Sequence, residues 1–154
     1  MVWWNGVARA LTGFPKTFRN FITKQTSKFC GTNRQLSRYD PTVENMCPSC
    51  GKRDEDLKHI TRCNEEGRTQ LWEKAVQDIG VWIEQSTSDL LLRDMIVEYL
   101  KAPGEKTMAE CLHVRSPQHL FLAKTHDKLG WDKCVEGRVV TAFLQFVEDR
   151  KGPA

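Results

Sequence analysis

Apolar residues in this chain recur mostly at three- and four-residue intervals rather than in alternation, which predicts helices and no convincing β-hairpin. Phe14-Pro15 opens the first clear helix, with proline tolerated near a helix start. Phe18, Phe21, Ile22, Gln25 and Phe29 form its mostly apolar stripe, Gln25 being the polar exception, and the stripe reads as a core face. Lys16, Arg19 and Lys24 fall on the other side, with Lys28 at the border, and Gly31 and Asn33 supply a stop. A polar stretch to Asn45 leads into a cysteine-bearing loop. Beyond it, Leu71, Trp72, Ala75, Val76, Ile79, Trp82 and Ile83 fill one arc of a helical wheel over roughly 66–85.

The cap-rich run Ser86-Thr87-Ser88-Asp89 breaks the pattern, and a more apolar helix follows with Leu91, Leu92, Met95, Ile96, Tyr99 and Leu100. This helix is expected to be the most buried, and Pro103-Gly104 stops it. Residues 104–115 show no clear period. Ser116-Pro117 signals another helix through about Lys128, closed by Gly130. Cys134, Val135, Val139, Ala142, Phe143, Phe146 and Val147 share a broad face of a last helix to about Asp149, and 150–154 read as a tail. The expected fold is all-α, with residues 1–85 as a basic helix plus metal module and 86–154 as a helical part packed on it in one domain.

The 154 residues are 40% hydrophobic and 28% charged, which fits a globular chain rather than a disordered one. No apolar run reaches the ~18 residues a membrane span needs. The net charge of +3 conceals an asymmetry. Residues 1–40 hold seven Lys or Arg against the single acid Asp40, whereas 41–154 hold sixteen basic and nineteen acidic residues. A basic end on a mildly acidic body is a footprint of polyanion binding, although a solvated helix face looks the same in one dimension.

Cys47, Cys50, His59 and Cys63 form the run C-x2-C-x8-H-x3-C. Zinc in a structural role takes a closed tetrahedral shell of thiolates and imidazole, and this run supplies one without help. Cys47-Pro48-Ser49-Cys50-Gly51 suits a tight turn aiming two sulfurs at one ion, and His59 and Cys63 lie four apart, on one face of a helix. Asp54, Glu55 and Asp56 precede them, where a helix N-terminus favours negative charge. The expectation is one zinc per chain, with no open position for activating water. A disulfide framework would need an oxidising compartment, and Met1–Ala10 offers no sustained apolar signal segment. A redox Cys-x-x-Cys would need a βαβ context and would leave His59 and Cys63 unexplained. The expected location is intracellular, nucleus or cytoplasm. Cys30, Cys111 and Cys134 read as small core residues.

From Phe14 to about Trp72 the chain resembles the zinc-binding region found C-terminal to reverse transcriptases in non-LTR-type retroelements. The likeness rests on the Phe- and Lys-rich helix, Cys47-Pro48-x-Cys50-Gly51, Glu55-Asp56-x-x-His59, Cys63 and the Trp72 helix. A looser likeness covers Leu129-Gly130-Trp131 and Glu136-Gly137-Arg138. Many members space the last pair H-x4-C, whereas this chain has H-x3-C. Y-x-D-D is absent, so no polymerase chemistry is implied, and no endonuclease signature stands out. The eight residues between Cys50 and His59 argue against the shorter retroviral knuckle frame. The resemblance implies template RNA or target DNA as ligand.

The leading expectation is therefore a non-catalytic nucleic-acid-binding module with a purely structural zinc. Lys16, Arg19, Lys24 and Lys28, joined by Lys52, Arg53, Lys58 and Arg62, would contact phosphates with low sequence specificity. Trp3, Trp4 and Phe14 are candidates for stacking on bases, although aromatic residues near a terminus more often complete a core. The alternative is a helical protein-interaction scaffold, and the discriminating feature is whether the basic side of the first helix is paired internally. No membrane and no small-molecule substrate are expected. An enzyme is the third reading: His119 and His126 could share a helix face, and Cys111 with His113 and His119 could hold a second metal, but no arranged triad follows from the spacing.

Overall fold

The structure, a computed structural model, describes residues 1–151, and side chains over 1–146. It is helical almost throughout: nine helices, α1 Trp4–Thr12, α2 Lys16–Thr26, α3 Asn33–Leu36, α4 Leu57–Arg62, α5 Glu66–Ser86, α6 Leu90–Lys101, α7 Pro117–Asp127, α8 Trp131–Val135 and α9 Thr141–Lys151, lie among the described residues. Only two isolated antiparallel bridges interrupt this pattern, Val2 with Val140 and Met46 with Asp54. None of these helices is long and apolar enough to cross a membrane. The expected all-α fold is what the chain adopts, with a loop-helix whose Cys47, Cys50, His59 and Cys63 are positioned to bind a metal ion.

Packing divides the chain into two compact units, Phe14–Ala75 and Met1–Gly13 with the chain from Val76 onward. The boundary falls within α5, whereas the sequence reading divides the chain at 85/86 and keeps residues 1–13 with the metal module. The second half of α5 lies close against α6: a Cβ built on Gly80 would come within 3.1 Å of Val97. Arg93 of α6 also pairs with Glu84 at 3.1 Å. The cap-rich break at 86–89 therefore turns the chain without separating two bodies.

In the unit formed by 1–13 and the chain from Val76, α6 carries the predicted apolar face, with Leu92, Met95, Tyr99 and Leu100 buried. Asp89 caps it, accepting a hydrogen bond from the Leu92 N–H at 2.9 Å. The aperiodic stretch 104–115 is held by Asp127, whose carboxylate accepts from the N–H groups of Met108 (2.6 Å) and Ala109 (3.1 Å). Met108 and Cys111 are buried there. The single last helix expected from Cys134 is instead two. Gly137, at φ +80°, allows a turn between α8 and α9, a conformation that side-chain-bearing residues rarely adopt. Val147 and its helix-face role lie outside the described side chains, and α9 runs to Lys151 rather than ending near Asp149. The sequence reading also missed α1. Its start is tied down by Trp3 N–H to the Val139 carbonyl at 2.8 Å and Thr141 N–H to the Met1 carbonyl at 3.0 Å. Trp3 is half-buried, and Trp4 is exposed with the Arg138 guanidinium 5.6 Å above its ring.

Two of the histidines of this unit, His119 and His126, are interior groups, and no group of metal-capable side chains forms around them among the described residues. His119 receives the Ser116 hydroxyl at Nδ1 (2.7 Å) and faces the Asp89 carboxylate with Nε2 (3.0 Å). The neutral ring thus carries its proton on Nε2. Because Ser116 and Asp89 are also the residues at the starts of α7 and α6, this chain of bonds ties two helix N-termini together. His126 is fully buried, edge-on to Tyr99 and Phe143, and both its ring nitrogens lack a hydrogen-bond partner. His113 is exposed.

Burial holds the His126 imidazole below its ordinary value of 6.5, with nearby Asp127 opposing the shift. The unfolded chain therefore takes up a proton first as pH falls, so stability is intact above about pH 6.5 and drains away below it. His126→Leu should raise the melting temperature, since it removes two unsatisfied buried nitrogens that cost about 1–3 kcal/mol. It should also flatten the acid limb of the stability–pH profile, leaving the part due to His119, which burial lowers in the same way. An unchanged acid limb in melts across pH would refute this role.

Candidate metal centre

The unit Phe14–Ala75 has little apolar core: α2, α3 and α4 bury no residue completely. Its order comes from polar contacts around a cysteine knuckle. The strand-like pair Met46–Asp54 closes the loop, with Cys47 N–H to the Arg53 carbonyl at 2.7 Å and Glu55 N–H to the Asn45 carbonyl at 2.8 Å. Within it, Gly51 N–H donates to the Cys47 carbonyl at 2.8 Å. Gly51 sits at φ +62°, the left-handed region that this turn demands. Helix α4 then begins at Asp56, whose carboxylate caps it by accepting from the His59 N–H at 2.7 Å. Cys63 is the residue that ends α4.

These elements bring the four predicted ligands together. The Sγ atoms of Cys47, Cys50 and Cys63 and a ring nitrogen of His59 all lie within 4.8 Å of one another. Cys47 Sγ is 3.9 Å from Cys63 Sγ, and Cys50 Sγ is 3.3 Å from His59 Nε2. A tetrahedron with metal–sulfur bonds of ~2.3 Å has sulfur–sulfur edges of about 3.8 Å, so the spacing suits an ion of zinc's size. Cys47 and Cys63 are buried and the other two half-buried. All six cysteines are free thiols. No second group of metal-capable side chains exists among the described residues, so Cys111, His113 and His119 are not drawn together.

The local field favours thiolate at one corner. Burial resists ionisation of Cys47, yet the backbone N–H groups of Cys50 and Ser49, with the His59 and Cys50 side chains, bring its pKa down to about 6 from 9.0. For Cys63 burial prevails and the pKa is raised, against the Glu65 N–H that favours the anion. A divalent cation at the centre compensates the accumulated negative charge of such thiolates, which is why binding and folding are coupled in sites of this kind.

Sequence reasoning missed the residues that brace the knuckle. Glu55 reads in the sequence as one of three acids near a helix start, but it is buried. Its carboxylate accepts from the Asn33 N–H at the start of α3 (2.9 Å) and from Arg68 of α5 (3.1 Å). Arg68 also donates through Nε to the Ser49 hydroxyl, inside the Cys-x-x-Cys turn, at 2.7 Å. Asn33 further donates to the Met46 carbonyl at 3.0 Å. The polar stretch ahead of the cysteines is thus a structural part of the centre. A weak signal was available: an arginine just beyond the last ligand, in a segment with few apolar anchors.

The candidate phosphate-binding residues fall into two groups. Lys16, Arg19, Lys24 and Lys28 are exposed and make no ion pair among the described residues. Lys52, Arg53 and Lys58 are exposed as well, but Arg62 is half-buried with Nη1 in the interior, a poorer phosphate contact than its sequence position suggests. The α2 stripe also differs from expectation. The helix packs through Ile22, Gln25 and Thr26, which are half-buried, while Phe18, Phe21 and Phe29 are exposed. Its stop is a Schellman-type end at Lys28 rather than Gly31. Lys28 N–H reaches the Gln25 carbonyl at 3.2 Å and Phe29 N–H the Lys24 carbonyl at 2.8 Å.

Cys50→Ser or His59→Ala should release the metal and loosen residues 44–64 while the helices beyond Val76 persist, read by native mass spectrometry and circular dichroism. Full metal occupancy in either variant would refute the ligand assignment. Arg68→Ala, which touches no ligand, should weaken metal affinity by about 10–100-fold, and unchanged affinity in a chelator competition would show that the brace is irrelevant. In comparisons with known proteins, no family model matches the chain, and no curated protein or solved structure matches it.

Proposed function

We propose that this chain is a non-catalytic nucleic-acid-binding module in which one structural zinc, held by Cys47, Cys50, His59 and Cys63, fixes a loop-helix beside a basic helix. Three thiolates and an imidazole are a donor set that zinc prefers, and four protein ligands close the shell against a reactive water. The observation that carries the binding reading is the unpaired state of Lys16, Arg19, Lys24 and Lys28, exposed on and just after α2. No acid occurs between Phe14 and Tyr39, and the two carboxylates that face this segment's Arg34 belong to Asp54 and Asp56. Such a surface attracts phosphates and releases counterions on binding. RNA or DNA is the ligand class, in line with the resemblance to the zinc-binding regions that follow reverse transcriptases.

Lys28 supports the same reading from a different side. It is the sole described non-glycine residue at positive φ, 64°, where glycine is usual at a helix end. A lysine there costs about 1 kcal/mol relative to an unstrained residue, and strain of this kind collects at positions kept for function. A second reading, a protein-interaction scaffold, is favoured by one observation: Ile79 and Trp82 of α5 face outward, Trp82 being 65% exposed.

Retention on poly(U) across a salt series tests the proposal. Lys24→Glu with Lys28→Glu should weaken binding and lower the log–log salt slope by about 0.7–0.9 for each phosphate no longer neutralised, with helicity unchanged. Equal affinity in the double variant, or no retention of the native chain at low salt, would move the reading to the scaffold. Lys28→Gly separates stability from binding: it should stabilise the protein by about 1 kcal/mol while weakening poly(U) binding. A variant that is both more stable and equally retained would remove Lys28 from the surface.

A further inference from the structure

We propose that the flank of α2 bearing Phe21 and Lys24, with the cavity beside it, holds an unpaired base, so that the ligand is a single strand rather than a duplex. The inference rests on the nucleic-acid reading above and specifies its substrate.

Phe14, Phe18 and Phe21 form a staircase along one side of the helix, with ring centroids 4.6 and 6.2 Å apart. They are 47, 40 and 49% exposed, so each presents ring surface to solvent. Burial of the helix runs mainly through the neighbouring face of Ile22, Gln25 and Thr26, which leaves part of each ring uncovered. Exposed aromatic rings set beside unpaired cations are the surface that unpaired bases and their phosphates fit, since every base offers a π-face. A duplex keeps its bases stacked inside and gives these rings nothing to cover.

At the end of the staircase lies an open cavity of about 490 Å³, between α2, the Cys30–Thr32 turn, Glu55 and Ile60. Its volume is in the range of small-molecule sites. Thr17, Phe21 and Lys24 line it from positions i, i+4 and i+7, one flank of the helix, and Asn20 adds an amide. The Thr17 hydroxyl and the Asn20 amide make no hydrogen bond among the described residues, and they offer donors and acceptors to the edge of a base. Glu55 is the one acid on the wall, and its carboxylate is already engaged by Arg68 and the Asn33 N–H. Its charge is therefore compensated and does not oppose a phosphate near Lys24. The same flank of the helix thus carries hydrogen-bonding groups, a ring and a cation, the chemistry that the base and phosphate of a nucleotide meet.

The test uses the full metal-loaded chain in fluorescence anisotropy with a short oligo(U), an abasic oligomer of the same phosphate count, the duplex of the same length, and anionic phospholipid vesicles. The expected order is oligo(U) tightest, with the abasic strand and the duplex weaker by about tenfold or more. Phe21→Ala should lower oligo(U) affinity by a similar factor and leave abasic binding and the salt slope unchanged, while Phe21→Tyr should retain native affinity. Metal content and circular dichroism confirm that the variants fold, as expected for a half-exposed ring. Equal binding of oligo(U) and abasic strand overturns the base-holding inference and leaves the nucleic-acid reading intact. A duplex that binds as tightly as oligo(U), or an unaffected Phe21→Ala, overturns it as well. If no nucleic acid binds at low salt, both readings fall, and selective vesicle binding would reassign the helix to a membrane surface.

Discussion

Gathering three sulfurs and one imidazole within 4.8 Å is the constraint on which the unit Phe14–Ala75 depends. The helices α2, α3 and α4 have no fully buried residue, so hydrophobic burial alone cannot hold them. Two of the thiols are buried, facing each other, the Cys50 and His59 side chains and the knuckle's N–H groups. A cation at their centre would turn the mutual repulsion of thiolates into cohesion. The unit's remaining order radiates from there through polar contacts, from Ser49 to Arg68 to Glu55 to Asn33.

The unit containing Val76 onward is stabilised differently. Leu92, Met95, Tyr99, Leu122 and Trp131 supply an ordinary helical core, and the Trp131 ring donates to the Tyr99 carbonyl at 3.0 Å. Polar groups enter it at helix starts, where Asp89, His119 and Ser116 satisfy one another. His126 is the exception: its two nitrogens bring no bond, so it is a weak point at low pH. One chain therefore combines a unit arranged around a candidate metal cluster with one that carries its own core.

The Cys47, Cys50, His59, Cys63 cluster was legible in the sequence because coordination chemistry fixes residue type and spacing locally: C-x-x-C makes the turn, and His59 and Cys63 stand four positions apart. Helices with strong periodicity, such as α6, were legible for the same local reason. What the sequence hid was tertiary. The stripe on α2 has the period of a core face, but periodicity does not say that a partner exists, and Phe18 and Phe21 are exposed. Glu55 looked like one acid among three until the fold placed Arg68 and Asn33 against it. Gly137 broke the last segment because its backbone conformation outweighs a continuous apolar pattern. Lys28 ended α2 where a glycine was sought, and the strain it carries is visible only in φ.

The most direct measurement is X-ray absorption at the zinc edge on the purified chain, combined with its metal stoichiometry. The account requires one zinc per chain with three sulfur neighbours at about 2.3 Å and one nitrogen at about 2.0–2.1 Å. A protein that takes up no metal, a shell rich in oxygen, or a disulfide joining Cys47 to Cys63 would contradict it.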